Sequence, residues 1–312
     1  MFGCAPAGGN YLSNCREAAA KSKSAKSINT DNMFSVKLNN GVEMPAIGFG
    51  TWAIADGSDV VEAVKTAIEC GFRHIDTASF YKNEEGVGRG IAESGVSRGN
   101  LWVTTKVWPT ETGYDNTLRA FDASLKRLGL DYIDLYLIHW PVGDYLKSWK
   151  IMEQLYTSGR IRSLGVSNFT IPELKNLLSH CELYPMVNQL EIHPFCQQKE
   201  LRRFCVENEI QCEAWSPFCR GRIFNHPVLQ KIAEKRNKTI AQIVLRWDNQ
   251  NDVIAIPQAV DPKLIENNFQ IFDFELSDAE MAEIDALDTG KALAFASMET
   301  YESVTAVKSA SN

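Results

Sequence analysis

The sequence predicts an α/β fold, a (β/α)8 TIM barrel whose bottom is capped by an N-terminal β-hairpin. Eight short apolar segments alternate with amphipathic helical segments along the chain. The segments are apolar on both faces, as expected for parallel strands that helices cover on the outside. Polar side chains stand at the C-terminal ends of seven of the eight, which is where barrels of this kind carry their functional sites.

The predicted strands begin with a hairpin and continue as eight barrel strands. Residues 34–38 and 42–47 flank Asn39, Asn40 and Gly41, and Asn-Gly is a strong hairpin-turn signal. The barrel strands are predicted at residues 47–50, 72–76, 101–106, 133–139, 162–166, 186–191, 211–215 and 253–257. Their spacing leaves room for a helix after nearly every strand.

The helices are predicted from apolar residues at three- and four-residue steps. They cover residues 59–69, 116–128, 149–157, 172–178, 199–207, 227–235, 240–247 and 277–287. The last begins with Ser277 and Glu280 in the spacing of a capping box. A doubly wound sheet is the alternative, but it would need a G-x-G-x-x-G turn after the first strand. The nearest match, Gly86, Gly88 and Gly90, lies in a helix-like stretch after a different strand.

Composition sets limits on the class of protein. The chain has 312 residues, of which 45% are hydrophobic and 23% charged, so a disordered chain is excluded. No apolar run approaches the roughly 18 residues of a membrane span. The 32 basic and 39 acidic residues give a net charge of −7, which argues against a nucleic-acid partner. We expect a cytoplasmic monomer, with a dimer as the alternative.

The chain divides into an extension and one domain. Residues 1–32 are rich in Ala, Ser and Gly, and we expect them to form a disordered extension, with organellar targeting as the alternative. Residues 33–312 form the predicted barrel, including a C-terminal tail at 288–312. Phe295, Met298 and Tyr301 are apolar residues of that tail, and we expect one of them to close over a substrate, with a loosely ordered tail as the alternative.

Titratable side chains follow three neighbouring predicted strands. Asp76 ends the second strand, and Tyr81 lies five residues further on. Lys106 ends the third strand and His139 the fourth. A tyrosine is a poor acid at neutral pH unless a cation such as Lys106 lowers its pKa from about 10. With Asp76 pairing the lysine and neutral His139 donating a hydrogen bond, the set suits proton delivery to a carbonyl that receives a hydride.

A metal site is the alternative use of the same strand end. His74 and Asp76 form an H-x-D pair, which would suit a metal-dependent hydrolase or isomerase. The chain has only five histidines, and none forms H-x-H or E-x-x-H. We therefore predict that no metal is bound.

The sequence resembles the aldo-keto reductase superfamily from about residue 33 to residue 287. The similarity is carried by GFGTW at 48–52, GFRHIDTA at 71–78, VTTKVW at 103–108, LGLDYIDL at 128–135, IHWP at 138–141, GVSNF at 165–169 and NQ at 188–189, together with Tyr81, Asn83 and Glu84. Its short loops are similar to those of prokaryotic and protozoan members such as the 2,5-diketo-D-gluconate reductases.

The resemblance implies an NAD(P)(H)-dependent oxidoreductase that interconverts small aldehydes or ketones and alcohols. It implies that Tyr81 is the general acid and base, that Lys106 and Asp76 tune it, and that His139 orients the carbonyl. The implied substrate pocket is formed by Trp52, Phe80, Tyr81, Trp108, His139 and Trp140. The implied cofactor-binding residues are Gly50, Thr51, Asp76, Ser167, Asn168, Gln189, Trp215, Ser216, Pro217, Phe218, Pro257, Gln258, Ala259, Val260, Asn267 and Asn268.

One stretch departs from the family pattern. Members that prefer NADPH carry Ile-Pro-Lys-Ser after the eighth strand and an arginine six residues after the lysine. Here Gln258, Ala259 and Leu264 stand at those positions. The resemblance therefore favours NAD(H) as the cofactor, with NADP(H) as the alternative. The alternative function is a non-catalytic, cofactor-binding barrel that acts as a regulatory subunit.

Overall fold

The computed structural model describes residues 35–292, and these form the predicted barrel preceded by the hairpin. The hairpin strands are β1 (Ser35–Lys37) and β2 (Glu43–Pro45). The barrel strands are β3 (Phe49–Gly50), β4 (His74–Asp76), β5 (Trp102–Val107), β6 (Ile133–Ile138), β7 (Ile161–Ser167), β8 (Val187–Glu191), β9 (Gln211–Trp215) and β10 (Ile254–Ala255). Each barrel strand is parallel to its neighbours and pairs with them in chain order.

Ten α-helices lie within the described residues. They are α1 (Ser58–Cys70), α2 (Glu84–Glu93), α3 (Tyr114–Leu128), α4 (Tyr145–Thr157), α5 (Ile171–Leu178), α6 (Lys199–Glu207), α7 (Pro227–Arg236), α8 (Ile240–Gln250), α9 (Pro262–Phe269) and α10 (Asp278–Asp285). Ser277 caps α10 in the predicted capping box with Glu280. Among residues 35–292, no helix has the length and apolar character needed to cross a membrane.

The first and last strands close the barrel. Ile47 bridges to Ala255, the Gly48 N–H donates to the Ala255 carbonyl at 2.9 Å, and the Gly50 N–H donates to the Pro257 carbonyl at 3.0 Å. A Cβ on Gly50 would lie 2.8 Å from the carbonyl oxygen of Ile256, so the two chains approach too closely for a side chain there. Every residue of β5 and β6 is buried, which confirms strands covered on both faces.

The hairpin caps the bottom of the barrel, as predicted. The Asn39 amide donates to the Pro185 carbonyl at 3.1 Å, just before β8, and the Asn40 amide donates to the Arg162 carbonyl at 3.0 Å, near the start of β7. Gly41 has a φ of +83°, a conformation that suits glycine in the tight turn. The hairpin is thus fixed at the N-terminal ends of the strands, opposite the polar strand ends.

The predicted helices do not include α9, and the sequence pattern identified α2 only as a helix-like stretch. In α2 the three glycines that loosely resemble a dinucleotide-binding turn are packing residues. A Cβ on Gly86 would lie 2.3 Å from Val60, one on Gly88 would lie 2.2 Å from the Leu128 carbonyl oxygen, and one on Gly90 would lie 2.8 Å from Val64. These glycines let α2 pack closely on its neighbours, and they lie within a helix and not in a dinucleotide-binding turn.

The predictions for residues 1–32, and for Phe295, Met298 and Tyr301 in the tail, fall outside the described residues. The described start of the tail is held against the loop after β8. The Thr289 N–H donates to the Phe195 carbonyl at 3.0 Å, and the Thr289 hydroxyl donates to the same oxygen at 2.8 Å.

We expect Gly88→Ala to destabilise the fold. The added methyl group would collide with the backbone of Leu128 at the end of α3, and overpacking of this kind costs about 1–3 kcal/mol, more than the helix propensity that alanine adds. The matched control is Gly99→Ala, because a Cβ there meets no atom within 4 Å. Urea unfolding of the two variants measures the difference, and equal midpoints would contradict the packing role of Gly88.

Candidate active site

The site is built around an ion pair between neighbouring strands. Lys106, near the end of β5, donates from Nζ to both carboxylate oxygens of Asp76, at 2.6 and 2.8 Å, at the end of β4. The same ammonium donates to the Thr77 carbonyl at 2.9 Å and to the Tyr81 hydroxyl at 3.3 Å. Lys106 and Asp76 are both buried. The predicted groups therefore form one connected cluster.

A braced turn holds Tyr81 over this ion pair. Tyr81 ends a short 3-10 helix, Ser79–Tyr81, and Lys82 follows in the left-handed conformation. Asn83 holds the turn because its amide donates to the Thr51 carbonyl at 2.9 Å, while its side-chain oxygen accepts from the Thr77 hydroxyl at 2.9 Å. These bonds are buried, so the phenol is fixed by the fold.

Tyr81 differs from the sequence prediction in its acidity. The sequence predicts a lowered pKa, and Lys106 does act in that direction. Burial has the larger effect, however, and raises the pKa of Tyr81 to about 12. The prediction was wrong in sign because a sequence gives the nearby cation but not the depth of burial. At neutral pH Tyr81 is therefore a protonated hydrogen-bond donor.

His139 lies beside Tyr81 as a neutral imidazole. Burial, with a further contribution from Lys106, lowers the pKa of His139 well below its ordinary value. The ring stands edge-on to Tyr81, with centroids 5.8 Å apart, and its Nδ1 has no protein hydrogen-bond partner. The Asn168 amide fixes the backbone here by donating to the His139 carbonyl at 3.0 Å.

Aromatic side chains form one wall of a cavity above the cluster. Phe80 stacks on Trp108 with centroids 3.8 Å apart, and Trp52 stacks on Phe80 at 5.9 Å. The cavity has a volume of about 390 Å³. It is lined by Gly50, Trp52, Asp76, Phe80, Tyr81, Trp108, His139, Trp140, Ser167, Asn168, Gln189, Trp215, Ser216, Pro217, Phe218, Arg220, Gly221, Phe224, Ile256 and Gln258. All six residues predicted for the substrate pocket are among them.

A hydrogen-bonded group of side chains forms the opposite wall. The Trp215 indole N–H donates to the Asn168 side-chain oxygen at 3.0 Å, the Asn168 amide donates to the Ser167 hydroxyl at 3.0 Å, and that hydroxyl donates to the Gln189 carbonyl at 2.9 Å. The Gln189 amide donates to Asp76 at 2.9 Å and to Glu213 at 2.6 Å. Because both amide hydrogens are used, the Gln189 side chain has only its oxygen to offer a ligand.

The structure does not bring every predicted site residue to the cavity. Lys106 lies behind Asp76, and Thr51 is buried with its hydroxyl donating to the Asp76 carbonyl at 2.9 Å. The predicted residues that lie outside the lining are Thr51, Lys106, Pro257, Ala259, Val260, Asn267 and Asn268. The sequence prediction omitted Arg220, Gly221, Phe224 and Ile256, which line the cavity. The first three lie soon after Trp215, so their position in the loop after β9 was the available signal.

No three His, Cys, Asp or Glu side chains within residues 35–292 are grouped as a metal ion would require.

The barrel, the Asp76–Lys106–Tyr81 cluster and the aromatic cavity together define an oxidoreductase that acts on carbonyl compounds. The chain matches the model of the Aldo/keto reductase family over residues 46–289. It belongs to that family.

Individual relatives agree with the family assignment. The chain is 53% identical to the glyoxal reductase of Bacillus subtilis over 255 residues, which is 81% of this chain and 92% of the relative. The crystal structure of an aldo/keto reductase from Brucella melitensis is similar with a TM-score of 0.80 and 45% identity, covering 82% of this chain and 100% of that one. The Bombyx mori aldo-keto reductase in complex with NADP has a TM-score of 0.79 and 36% identity, covering 84% and 95%.

We expect His139 to stay neutral from about pH 8 down to about pH 5, well below the point where an ordinary histidine gains its proton. Burial and the nearby Lys106 charge both disfavour the imidazolium. NMR of 15N-labelled imidazoles measures this, with His139→Gln used to assign the signal. A His139 resonance that titrates near pH 6.5 would contradict the electrostatics of the site.

Proposed function

We propose that this enzyme interconverts small aldehydes or ketones and alcohols, with Tyr81 as the general acid and base. The observation that carries the proposal is the contact of 3.3 Å between the Lys106 ammonium and the Tyr81 hydroxyl at the base of an aromatic cavity. Loss of the Tyr81 proton leaves a phenolate beside that ammonium. The charge that develops during proton transfer is therefore stabilised where it forms.

The neighbouring residues have distinct roles in this proposal. Asp76 holds the lysine through two hydrogen bonds and keeps its buried charge paired. His139 is neutral, so it donates a hydrogen bond to a carbonyl oxygen without delivering a charge to the cavity. Trp52, Phe80 and Trp108 surround the substrate with apolar surface and exclude water from the reacting groups.

The opposite wall fits a nicotinamide cofactor. A bound nicotinamide supplies or accepts the hydride. The side-chain oxygens of Gln189, Ser167 and Asn168 would accept hydrogen bonds from the N–H groups of its carboxamide. Trp215, whose ring is fixed by its bond to Asn168, would offer a flat surface for the nicotinamide ring.

We further propose that NAD(H) is preferred over NADP(H). Around the adenosine end that the family resemblance assigns, Gln258 is uncharged, and Val260 and Leu264 are exposed apolar side chains, 59% and 55% accessible. Asp261 caps α9 by accepting from the Lys263 and Leu264 N–H groups, so a carboxylate already occupies the helix start. Lys263 is paired with Glu266 at 2.8 Å. A 2′-phosphate would find little compensating charge here.

The relatives' names guide the choice of substrate. The B. subtilis relative is named a glyoxal reductase and an Escherichia coli relative a methylglyoxal reductase. We propose that small aldehydes of this kind are reduced here too, and they are the first compounds to assay.

Tyr81→Phe is expected to lower aldehyde turnover by a factor of about 100 to 10,000, the usual contribution of a general acid. The variant keeps the ring in place but removes the proton. Tyr114→Phe is the control, because Tyr114 is exposed and bonds to Gln154 outside the cavity. Steady-state kinetics with a small aldehyde measures both. Wild-type protein that binds cofactor but turns over no carbonyl substrate would support the regulatory-subunit alternative instead.

NADH is expected to bind more tightly than NADPH, as measured by quenching of tryptophan fluorescence. The double variant Gln258→Lys with Leu264→Arg should raise NADPH affinity by a factor of about a hundred or more, since it adds two charge-assisted contacts of about 1.5–3 kcal/mol each. Val206→Arg with Gln230→Lys adds the same charge away from the cavity and should leave the preference unchanged. Tenfold tighter binding of NADPH by the wild type would refute the preference.

A further inference from the structure

A buried carboxyl group lies beneath the proposed site and has no role in the mechanism above. Glu213 is in the middle of β9 and is completely buried. Its Oε2 accepts a hydrogen bond of 2.6 Å from the Gln189 amide, which also donates to Asp76 at 2.9 Å. The Gln189 amide thus connects the carboxyl groups of Glu213 and Asp76, and Asp76 accepts hydrogen bonds from Lys106.

The other oxygen of Glu213 faces a histidine. Oε1 lies 3.6 Å from His74 Nδ1, and neither atom has a hydrogen-bond partner. This separation is slightly longer than a hydrogen bond, so a small side-chain movement would close it. The opposite nitrogen of the ring, Nε2, is 2.9 Å from the Thr104 hydroxyl. Two buried polar atoms that face each other without other partners are expected to form a hydrogen bond, and this requires a proton on one of them.

The charges of the cluster decide where that proton belongs. Within residues 35–292, Lys106 is the cation that hydrogen-bonds to the cluster, and its hydrogen bonds go to Asp76, Thr77 and Tyr81. An ionised Glu213 would be a second buried carboxylate with no cation of its own, which is unfavourable. A neutral acid fits the contacts: Oε2 accepts from Gln189, and a proton on Oε1 can be donated to His74.

We propose that Glu213 is a positioning residue of the reaction, a neutral carboxylic acid that donates its proton to His74 in a hydrogen bond. In this state the net charge of the buried cluster is zero until Tyr81 releases its proton. This inference rests on the proposed function of Tyr81. With Glu213 neutral, Lys106 and Asp76 sum to zero, and transfer of the Tyr81 proton to the carbonyl oxygen creates a single negative charge. With Glu213 ionised, the same step would create a second one.

Glu213 also fixes the orientation of Gln189. Because the two amide hydrogens are held by Glu213 and Asp76, the Gln189 oxygen is the group left for a ligand. The same side chain therefore links the protonation of Glu213 to the wall proposed to hold the nicotinamide.

Titration of Glu213 sets the pH range of the effect. Gln189 on β8 and His74 on β4 lie directly against it, and Asp76 on β4, Lys106 on β5 and Tyr81 interact with it electrostatically. Burial, and next the Asp76 charge, raises the pKa of Glu213 to about 8. Burial and Lys106 lower the pKa of His74 to about 3, so the imidazole is neutral and cannot compensate an ionised Glu213. Reduction should therefore slow as the pH rises through about 8.

The first test is the pH profile of kcat for aldehyde reduction, compared between the wild type and Glu213→Gln. Glutamine imitates the neutral acid, because its oxygen can accept from Gln189 and its amide can donate to His74. From about pH 7 to about pH 10 the wild-type kcat should fall tenfold or more, whereas the variant's kcat should change less than about threefold over that range. The test is decided by how kcat changes with pH and not by the absolute value of kcat. An alkaline decline of equal size in both proteins would overturn the proposal.

Glu85→Gln is the matched control for this profile. It removes an exposed glutamate that does not line the cavity, and it should keep the wild-type decline. A profile flattened by Glu85→Gln as well would show that general charge causes the effect, which would also overturn the role of Glu213.

The second test does not depend on turnover. Infrared spectra of protein with 13C-labelled glutamate should show the carbonyl stretch of a protonated carboxylic acid at neutral pH. The band should disappear as the pH rises through about 8 and should be absent in Glu213→Gln. A wild type with this band but no carbonyl turnover would refute the proposed function and leave the protonation of Glu213 established. Absence of the band at neutral pH would refute the inference itself.

Discussion

The ion pair between Lys106 and Asp76 is the interaction on which the rest of the site depends. Breaking a buried pair by removing one partner costs about 3–5 kcal/mol, because the other charge is left uncompensated. The two side chains meet because β4 and β5 are adjacent parallel strands. Tyr81 touches the pair through the ammonium, and Gln189 touches it through the carboxylate. The barrel thus brings the ends of β4, β5 and β8 together, so that their side chains form one hydrogen-bonded cluster of charged and polar groups.

The barrel and most of the cavity were predictable from the sequence because they follow from local patterns. Apolar segments covered on both faces indicate the strands, and polar residues at their ends indicate the site. Helix α2 was identified only as a helix-like stretch, because its glycines disfavour a helix in isolation and are explained by packing against Val60 and Leu128. Helix α9 did carry a signal, since Asp261 followed by Pro262 is a typical helix start.

The properties that the sequence could not predict depend on contacts across the barrel. The pKa of Tyr81 is raised because burial outweighs the effect of Lys106, and the sequence shows the lysine but not the burial. Glu213 lies inside a predicted strand and would be taken there as an ordinary polar residue. Its partners are Gln189 on the adjacent strand and His74 on a strand further round the barrel, and no spacing in the chain connects them.

The seam between the first and last strands has a consequence for how such an enzyme can evolve. Gly48 and Gly50 have no space for a side chain, since a Cβ on Gly48 would lie 2.5 Å from His74. Two residues beyond Ile256, Gln258 is exposed, as are Val260 and Leu264. Side chains are therefore excluded by packing at the two glycines, whereas the exposed residues beyond Ile256 can be substituted without a steric conflict in the barrel. Under the cofactor preference proposed above, substitutions at these exposed positions would change whether a 2′-phosphate is bound, and hence the metabolic pool from which electrons are drawn, without disturbing the barrel.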